Sequence, residues 1–355
     1  MSAPIALRGW SLWRARLFAT PVDSAISIAV LLGLGIILQP LLNWAIANAS
    51  WSGSTRADCS PGGACWVFIQ ARFGQFMYGF YPEPERWRPN LFGALVLAWG
   101  VAVLLRGTPR RGLIAVVGVI VLPFLGLWLL YGGFGLREIE TRQWGGLMLT
   151  LALTYYAALI ALPLAVILAL GRRSRLPFLR LLSIIFIEFW RGVPILTVIF
   201  LASLLLPLIM PSGMGVDRLA RAIIGLGLVI AAYMAEAFRG GLQAVPGGQA
   251  EASAALGLGH WRTTAFIILP QATRIALPAL TNETIALLKN TSLVLVVSIF
   301  DLLGIAQAAL ADPTWVGFQV EAYVFAGVIY WVLCWALSAL GLLLEARMAE
   351  GRERT

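Results

Sequence analysis

One lysine, one histidine and three cysteines are all that this 355-residue chain offers of the side chains that most often hold phosphate, metal or a reactive centre. The lysine, Lys289 in "ALLKNTS", lies in no Gly-x4-Gly-Lys-Ser/Thr loop, so the chain lacks that means of cradling a nucleotide. His260 stands alone and no Cys-x-x-Cys occurs, so zinc has no ligand set and His260 reads as a loop-surface residue. No cluster of His, Cys or carboxylate has catalytic spacing, which argues against a membrane-embedded enzyme. Charge is scarce as well: 12% of residues are charged and 60% are hydrophobic.

What is present is apolar sequence in runs of about twenty residues, without the one-sided periodicity of a soluble helix or strand. Lipid gives the backbone no hydrogen-bond partners, and uninterrupted runs of that length select helices over a barrel. The expectation is an all-α polytopic membrane protein of about eight spans, near 23–46, 89–105, 113–131, 146–170, 181–210, 219–238, 277–300 and 318–344. The fifth is over-long and interrupted by "RGVP". The first follows an arginine-bearing head but runs past a signal h-region with no cleavage pattern after it, so it reads as a retained anchor.

Arginines set the orientation. With a cytoplasmic N-terminus, sixteen fall inside: Arg8, Arg14, Arg16, Arg106, Arg110, Arg111, Arg172, Arg173, Arg175, Arg180, Arg239, Arg262, Arg274, Arg347, Arg352 and Arg354. Eight fall outside: Arg56, Arg72, Arg86, Arg88, Arg137, Arg142, Arg218 and Arg221. The positive-inside rule then puts both termini in the cytoplasm, and the net charge of +9 calls for no nucleic acid. Cys59 and Cys65, in the outer loop "DCSPGGAC", sit in an oxidising compartment across a Pro-Gly-Gly turn, which favours a disulfide over two free thiols; Cys334 reads as a packing residue.

The chain divides at about residue 140 into a three-span extension with a polar, aromatic-rich loop (1–140) and a five-span core (141–355). The core carries every pointed feature. "EFWRG" and "EAFRG" each set a Glu and an Arg one turn apart, Glu188 with Arg191 and Glu236 with Arg239, and both read as local ion pairs. Pro194 breaks the helix after Arg191 and Gly192. In "LPALTNETIALLKNTSLVLV", Pro278 can open a helix on which Glu283 and Asn290 share one face, with Asn282 and Lys289 about 100° away and Thr291 roughly 80° from the first pair. One carboxylate and one amide in a stripe suit an α-amino group and polar side-chain tips; a polar helix–helix seam is the competing reading. Thr150 and Thr154 line the same path or bond their own helix carbonyls.

The stretch "VPGGQAEASAALGLGHWRTTAFIILPQA" is the least membrane-like part of the core. After Pro246 and two glycines, residues 249–256 are strong helix formers, Gly257 sits where a helix ends with positive φ, and a second short helix stops at Pro270. A helix-turn-helix this small buries no core, so it needs something to dock on, or lies in the interface as an amphipathic helix. Glu251, Ala252 and Ser253, then Gly257, then Ile267, Leu269 and Pro270 match the spacing of the Glu-Ala-Ala motif of bacterial ATP-binding-cassette import permeases, with Ser in the third place. The region from "AYMAEAFRGG" through "LKNTSLVLV" resembles the polar amino acid branch of that family, and the whole chain is most similar to the M-type subunit of general L-amino acid permeases.

That resemblance implies a type I importer core whose loop, Gln249 included, is the coupling helix seated in an ATPase subunit. It further implies a second homologous permease, two ATPase chains, a periplasmic amino-acid-binding protein and an L-amino acid substrate in a bacterial inner membrane. No cofactor belongs to this chain; ATP and magnesium sit on the partners. It gives Glu188, Arg191, Gly192, Pro194, Glu236, Arg239 and Lys289 structural or gating roles. Relatives that carry cationic amino acids often have Asp where this chain has Asn290, which puts strict arginine or lysine preference in doubt. An ion-coupled secondary transporter is the alternative, but matched broken helices in two equal halves are missing from the pattern.

Overall fold

The computed structural model describes residues 17–105, 107–209 and 215–350. Arg8, Arg14, Arg16, Arg106, Arg352 and Arg354, which entered the orientation argument, lie outside the described residues. The described residues are helical with no strand, joined by a few isolated bridges. Among the described residues, seven helices are long and apolar enough to cross a membrane, or eight if one bent pair counts as a single span.

The chain forms two compact units, Met1–Ala71 with Thr314–Glu321, and Arg72–Pro313 with Ala322–Thr355. In the first, α1 (Pro21–Leu42) starts at Thr20, whose hydroxyl accepts from the Asp23 amide, and none of its side chains is buried. The loop after it carries Cys59 bonded to Cys65, Cα atoms 5.4 Å apart. Asp58 gathers the Ser54 and Thr55 amides (2.8 Å each) and the Thr55 hydroxyl (3.0 Å). The Thr55 amide first, then that of Ser54, hold its carboxyl below the usual range. The opening of α2 (Trp66–Tyr78) stacks Phe68 on Phe318, and the Cys65 amide donates to Glu321 at 3.1 Å.

In the second unit the core runs between α5 (Gly146–Arg172), α9 (Arg218–Ala244) and α12 (Leu269–Asn290), with α3 (Trp87–Leu104) paired to α4 (Arg111–Tyr131) beside them. Ala157, Ala161, Ala165 and Ala169 recur every fourth residue on α5 with no exposed surface, so α9 lies close along that stripe. Lipid removes the hydrophobic advantage of helix contact, and small residues restore attraction by letting backbones approach. Gly241 does the same between α9 and α12: a Cβ there would overlap the Ala272 carbonyl and come to 3.0 Å from the Ala276 methyl.

The expected fifth span is broken. α6 (Pro177–Gly192) and α7 (Ile195–Phe200) meet at Val193–Pro194, both extended, and the chain turns by 100° before reaching α8 (Leu206–Ile209). Proline offers no amide and drives its predecessor out of the helical region, which accounts for the break. The seventh span differs the other way. Pro270 does not end a helix and Pro278 does not begin one: helical chain runs from His260 to Val297, with Pro278 inside α12. A wide turn at Thr264–Ile268 precedes Pro270, which sits in the first turn of α12 where a missing amide costs little, and the Gln271 side chain covers the Ile267 carbonyl at 2.9 Å.

Candidate functional site

The loop between α9 and α12 folds as two short helices, α10 (Gly248–Ala255) and α11 (His260–Thr263). Gly257, at φ +74°, donates its amide to the Ala254 carbonyl while Leu258 donates to that of Ser253, both at 3.0 Å. This pair of bonds closes a helix on a left-handed residue, the conformation glycine adopts most cheaply. Ser253 is buried and bonds the Gln249 carbonyl at 2.6 Å; Gln249, Glu251 and Ala252 are exposed. Leu256, Trp261 and Phe266 stand out from this finger at 80%, 78% and 78% exposure, His260 is exposed, and Ile267 and Leu269 are half-buried.

Glu283 and Asn290 both lie on α12, half-buried on one face, and neither side chain has a hydrogen-bond partner among the described residues. Asn282 and Lys289 are exposed on the other. Thr291 and Thr150 are fully buried instead of lining a path with them: Thr291 bonds the Leu288 carbonyl at 2.8 Å, and Thr150 receives the Leu302 amide at 3.0 Å. Thr154, half-buried, turns its hydroxyl to the Thr150 carbonyl at 2.8 Å, the ordinary use of threonine in a helix.

One of the two expected ion pairs forms. Glu236 holds Arg239 at 2.8 Å, and Arg239 goes on to Gln243. Glu188 does not take Arg191; it takes Arg172, at 3.1 Å, and the same guanidinium reaches Glu236 at 2.6 Å. Arg173 donates to the Leu242 carbonyl at 2.8 Å. The end of α5, the face of α6 and the end of α9 are thereby tied together on one side of the protein. Arg172 carried only an orientation signal in sequence, because both of its partners come from other helices.

A second polar cluster went unread. Asp301, with no exposed surface, caps α13 (Leu302–Leu310) by accepting from the Gly304 amide at 3.0 Å. Its other oxygen accepts from Tyr330 at 2.5 Å, on α14 (Gln319–Glu350), and Tyr330 lies 3.3 Å from the Thr291 hydroxyl. The cluster sits where α12 tightens into a 3-10 turn (Thr291–Val297) and Ser298 adopts φ +57°. The one signal in sequence was a single Asp ahead of an apolar helix in "SIFDLLGI", the mark of an N-cap.

The profile of the binding-protein-dependent transport system inner membrane component family matches residues 161–350. The inner membrane amino-acid ABC transporter permease protein YhdY of Escherichia coli (strain K12) is 48% identical over 340 residues, covering 96% of this chain and 93% of that protein. The chain belongs to this permease family. The glutamate/glutamine/aspartate/asparagine transport system permease protein BztC of Rhodobacter capsulatus is 33% identical over 414 aligned positions, covering 98% and 95% of the two chains. A crystal structure of an amino acid ABC transporter with histidines aligns at 34% identity and a TM-score of 0.51, over 57% of this chain and 92% of that one. The matched part of the permease contains the finger, the stripe and the buried Asp301, while Thr150 and Thr154 precede it. The chain is thus a multi-pass membrane subunit of a binding-protein-dependent importer, a transport component with the type I permease fold.

Proposed function

We propose that this subunit forms one half of an inner-membrane pathway for polar L-amino acids and is moved by ATPase chains docked on the α10–α11 finger. The observation that carries the reading is the match of nearly the whole chain, at 48% identity, to a permease named for amino acids. The finger supports the docking: exposed Leu256, Trp261 and Phe266 give an apolar contact, and Glu251 in the first turn of α10 favours the helix dipole. Glu283 and Asn290 are the groups offered to the substrate, and the Arg172–Glu188–Glu236–Arg239 network carries motion from the finger into α5, α6 and α9. ATP and magnesium belong to two ATPase partners, substrate is delivered by a periplasmic binding protein, a second homologous permease completes the path, and the arginine distribution puts both termini in the cytoplasm. The relative named for glutamate, glutamine, aspartate and asparagine points to acidic and amide side chains.

The test is uptake by proteoliposomes holding the complete complex, with labelled L-glutamate, L-glutamine, L-aspartate and L-asparagine. Uptake should need both ATP on the ATPase side and the binding protein, and Glu283→Gln should lower it at least about tenfold, as loss of a charged hydrogen bond does. Accumulation without nucleotide that collapses with an ion gradient would favour a secondary transporter. Unchanged uptake of all four by Glu283→Gln would remove that residue from the site.

A further inference from the structure

We propose that Arg221 and Ser203 form a binding site for one small monovalent anion, a chloride or a carboxylate, where the wide turn of the broken fifth span packs on the start of α9. The assignment stands on these two residues and not on the amino-acid reading above.

Between α7 and α8 the chain widens into a turn, Leu201–Leu205. Widening shifts the hydrogen-bond register and leaves a carbonyl short of a donor. Arg221, one turn into α9, meets that need: its Nη1 donates to the Ser203 carbonyl at 2.8 Å. α9 runs against α7 and this turn, Ala222 has no exposed surface, and a Cβ on Gly225 would already touch Val198 at 3.5 Å and Ala202 at 3.6 Å. Solvent is thereby kept from both polar residues, Arg221 being 9% exposed and Ser203 6%.

Burial leaves two atoms here without a hydrogen-bond partner among the described residues, Arg221 Nε and Ser203 Oγ. They belong to the two residues that the 2.8 Å bond joins, so they are neighbours. Arg86 and Arg88 also leave Nε unpaired, yet each guanidinium holds a carboxylate, Glu83 at 3.0 Å and Glu85 at 2.7 Å. The Arg221 guanidinium has no carboxylate partner among the described residues. Asp217, the nearest acid in sequence, gives Oδ1 to the Leu219 and Ala220 amides at 2.9 and 3.2 Å and Oδ2 to the Thr141 hydroxyl at 2.6 Å. Residues 210–214, outside the described residues, include no acid. A buried charge is costly unless it is paired, and a buried polar group costs when left unbonded. A water accepts from Nε or Ser203 but leaves the positive charge uncompensated. A halide or a carboxylate oxygen accepts from both and cancels the charge, and the N-terminal end of α9 adds positive partial charge of its own. Bound there, the anion fastens the second half of the broken span to α9, so its occupancy sets how firmly that span is held.

The test follows melting of the full complex in nanodiscs at one fixed scan rate and ionic strength. Sodium methanesulfonate, whose anion is bulkier, is replaced stepwise by sodium chloride in one series and by sodium acetate in another. A saturable rise in melting temperature with chloride, acetate or both is expected, and the salt that gives it says whether the site takes a halide or a carboxylate. Arg221→Gln should abolish the saturable rise. Ser203→Ala should raise the half-saturating concentration at least about tenfold, as loss of one hydrogen bond to a charged group does. Identical curves for wild type and Arg221→Gln would put the salt effect elsewhere and overturn the assignment. A wild-type complex that neither salt stabilises would overturn it too, and is the result a bound water predicts. An unchanged half-saturating concentration in Ser203→Ala refutes the pair, and decides the matter by itself if Arg221→Gln does not assemble.

Discussion

Removing the Tyr330 hydroxyl should show how firmly the buried Asp301 holds the permease together. Tyr330→Phe keeps the ring and deletes a 2.5 Å bond to a carboxylate with no exposed surface. Hydrogen bonds within membranes average only about 0.6 kcal/mol by double-mutant cycle, because the unfolded segment finds other partners. A bond to an ionised acceptor is worth more, about 1.5–3 kcal/mol, since the carboxylate left behind is desolvated and short of a donor. Asp301 keeps the Gly304 amide on its other oxygen, so the loss is one bond and the α13 cap survives. At about 2.1 cal/mol/K of unfolding entropy per residue, a 355-residue chain shifts by roughly 1.3 °C per kcal/mol, so the variant should melt about 2–4 °C lower. Asp301→Asn keeps the cap and removes the charge, so the double variant closes a cycle, read as melting temperatures of the nanodisc complex at one fixed scan rate. Coupling at or below the average for neutral membrane hydrogen bonds would refute the argument, because it would mean that Asp301 bears no charge requiring Tyr330.

Three further outcomes follow from local geometry. Gly257→Val has open space for its side chain but a φ of +74°, which costs roughly 1–2 kcal/mol in any L-residue with a Cβ, so uptake should fall steeply at normal membrane levels while Gly257→Asn retains most of it. Full transport by the valine variant, measured in proteoliposomes, would count against the finger as the coupling element. Asp58 has a lowered carboxyl pKa, so its contribution to loop order is present above the unfolded value near 3.9 and disappears as pH falls through the folded value. Hydrogen exchange at the Ser54 and Thr55 amides should therefore lose protection only in acid below that unfolded value; loss at pH 5–6 would contradict the cause assigned. Protein purified without reductant should resist alkylation at Cys59 and Cys65 until it is reduced, and mass spectrometry that finds both labelled beforehand would exclude the bridge.

The spans were legible because lipid forces a simple code, a run of apolar residues as long as the bilayer is thick. The end of α10 was legible for a local reason, a glycine at the one position that needs positive φ. Proline misled in both directions. Pro194 does more than interrupt the fifth span, turning it by 100°, whereas Pro270 follows a wide turn and sits in a first helical turn where its missing amide costs little, and Pro278 lies within α12 without ending it. Spacing three or four along a helix suggested Glu188 with Arg191, but Arg172 from α5 competes for the same carboxylate, and no periodicity reports a charge arriving from elsewhere. Asp301 and Tyr330 were invisible together for the same reason, being twenty-nine residues apart and joined only once α13 and α14 have packed.

Lys289 bears the only side-chain amine in the chain, and it lies exposed next to Asn290 at the end of α12. Amine-directed chemistry therefore has a single internal address on this polypeptide, one residue from Asn290 and requiring no engineered handle. A fluorophore or crosslinker attached there would follow the local surroundings of α12 through successive stages of the transport cycle.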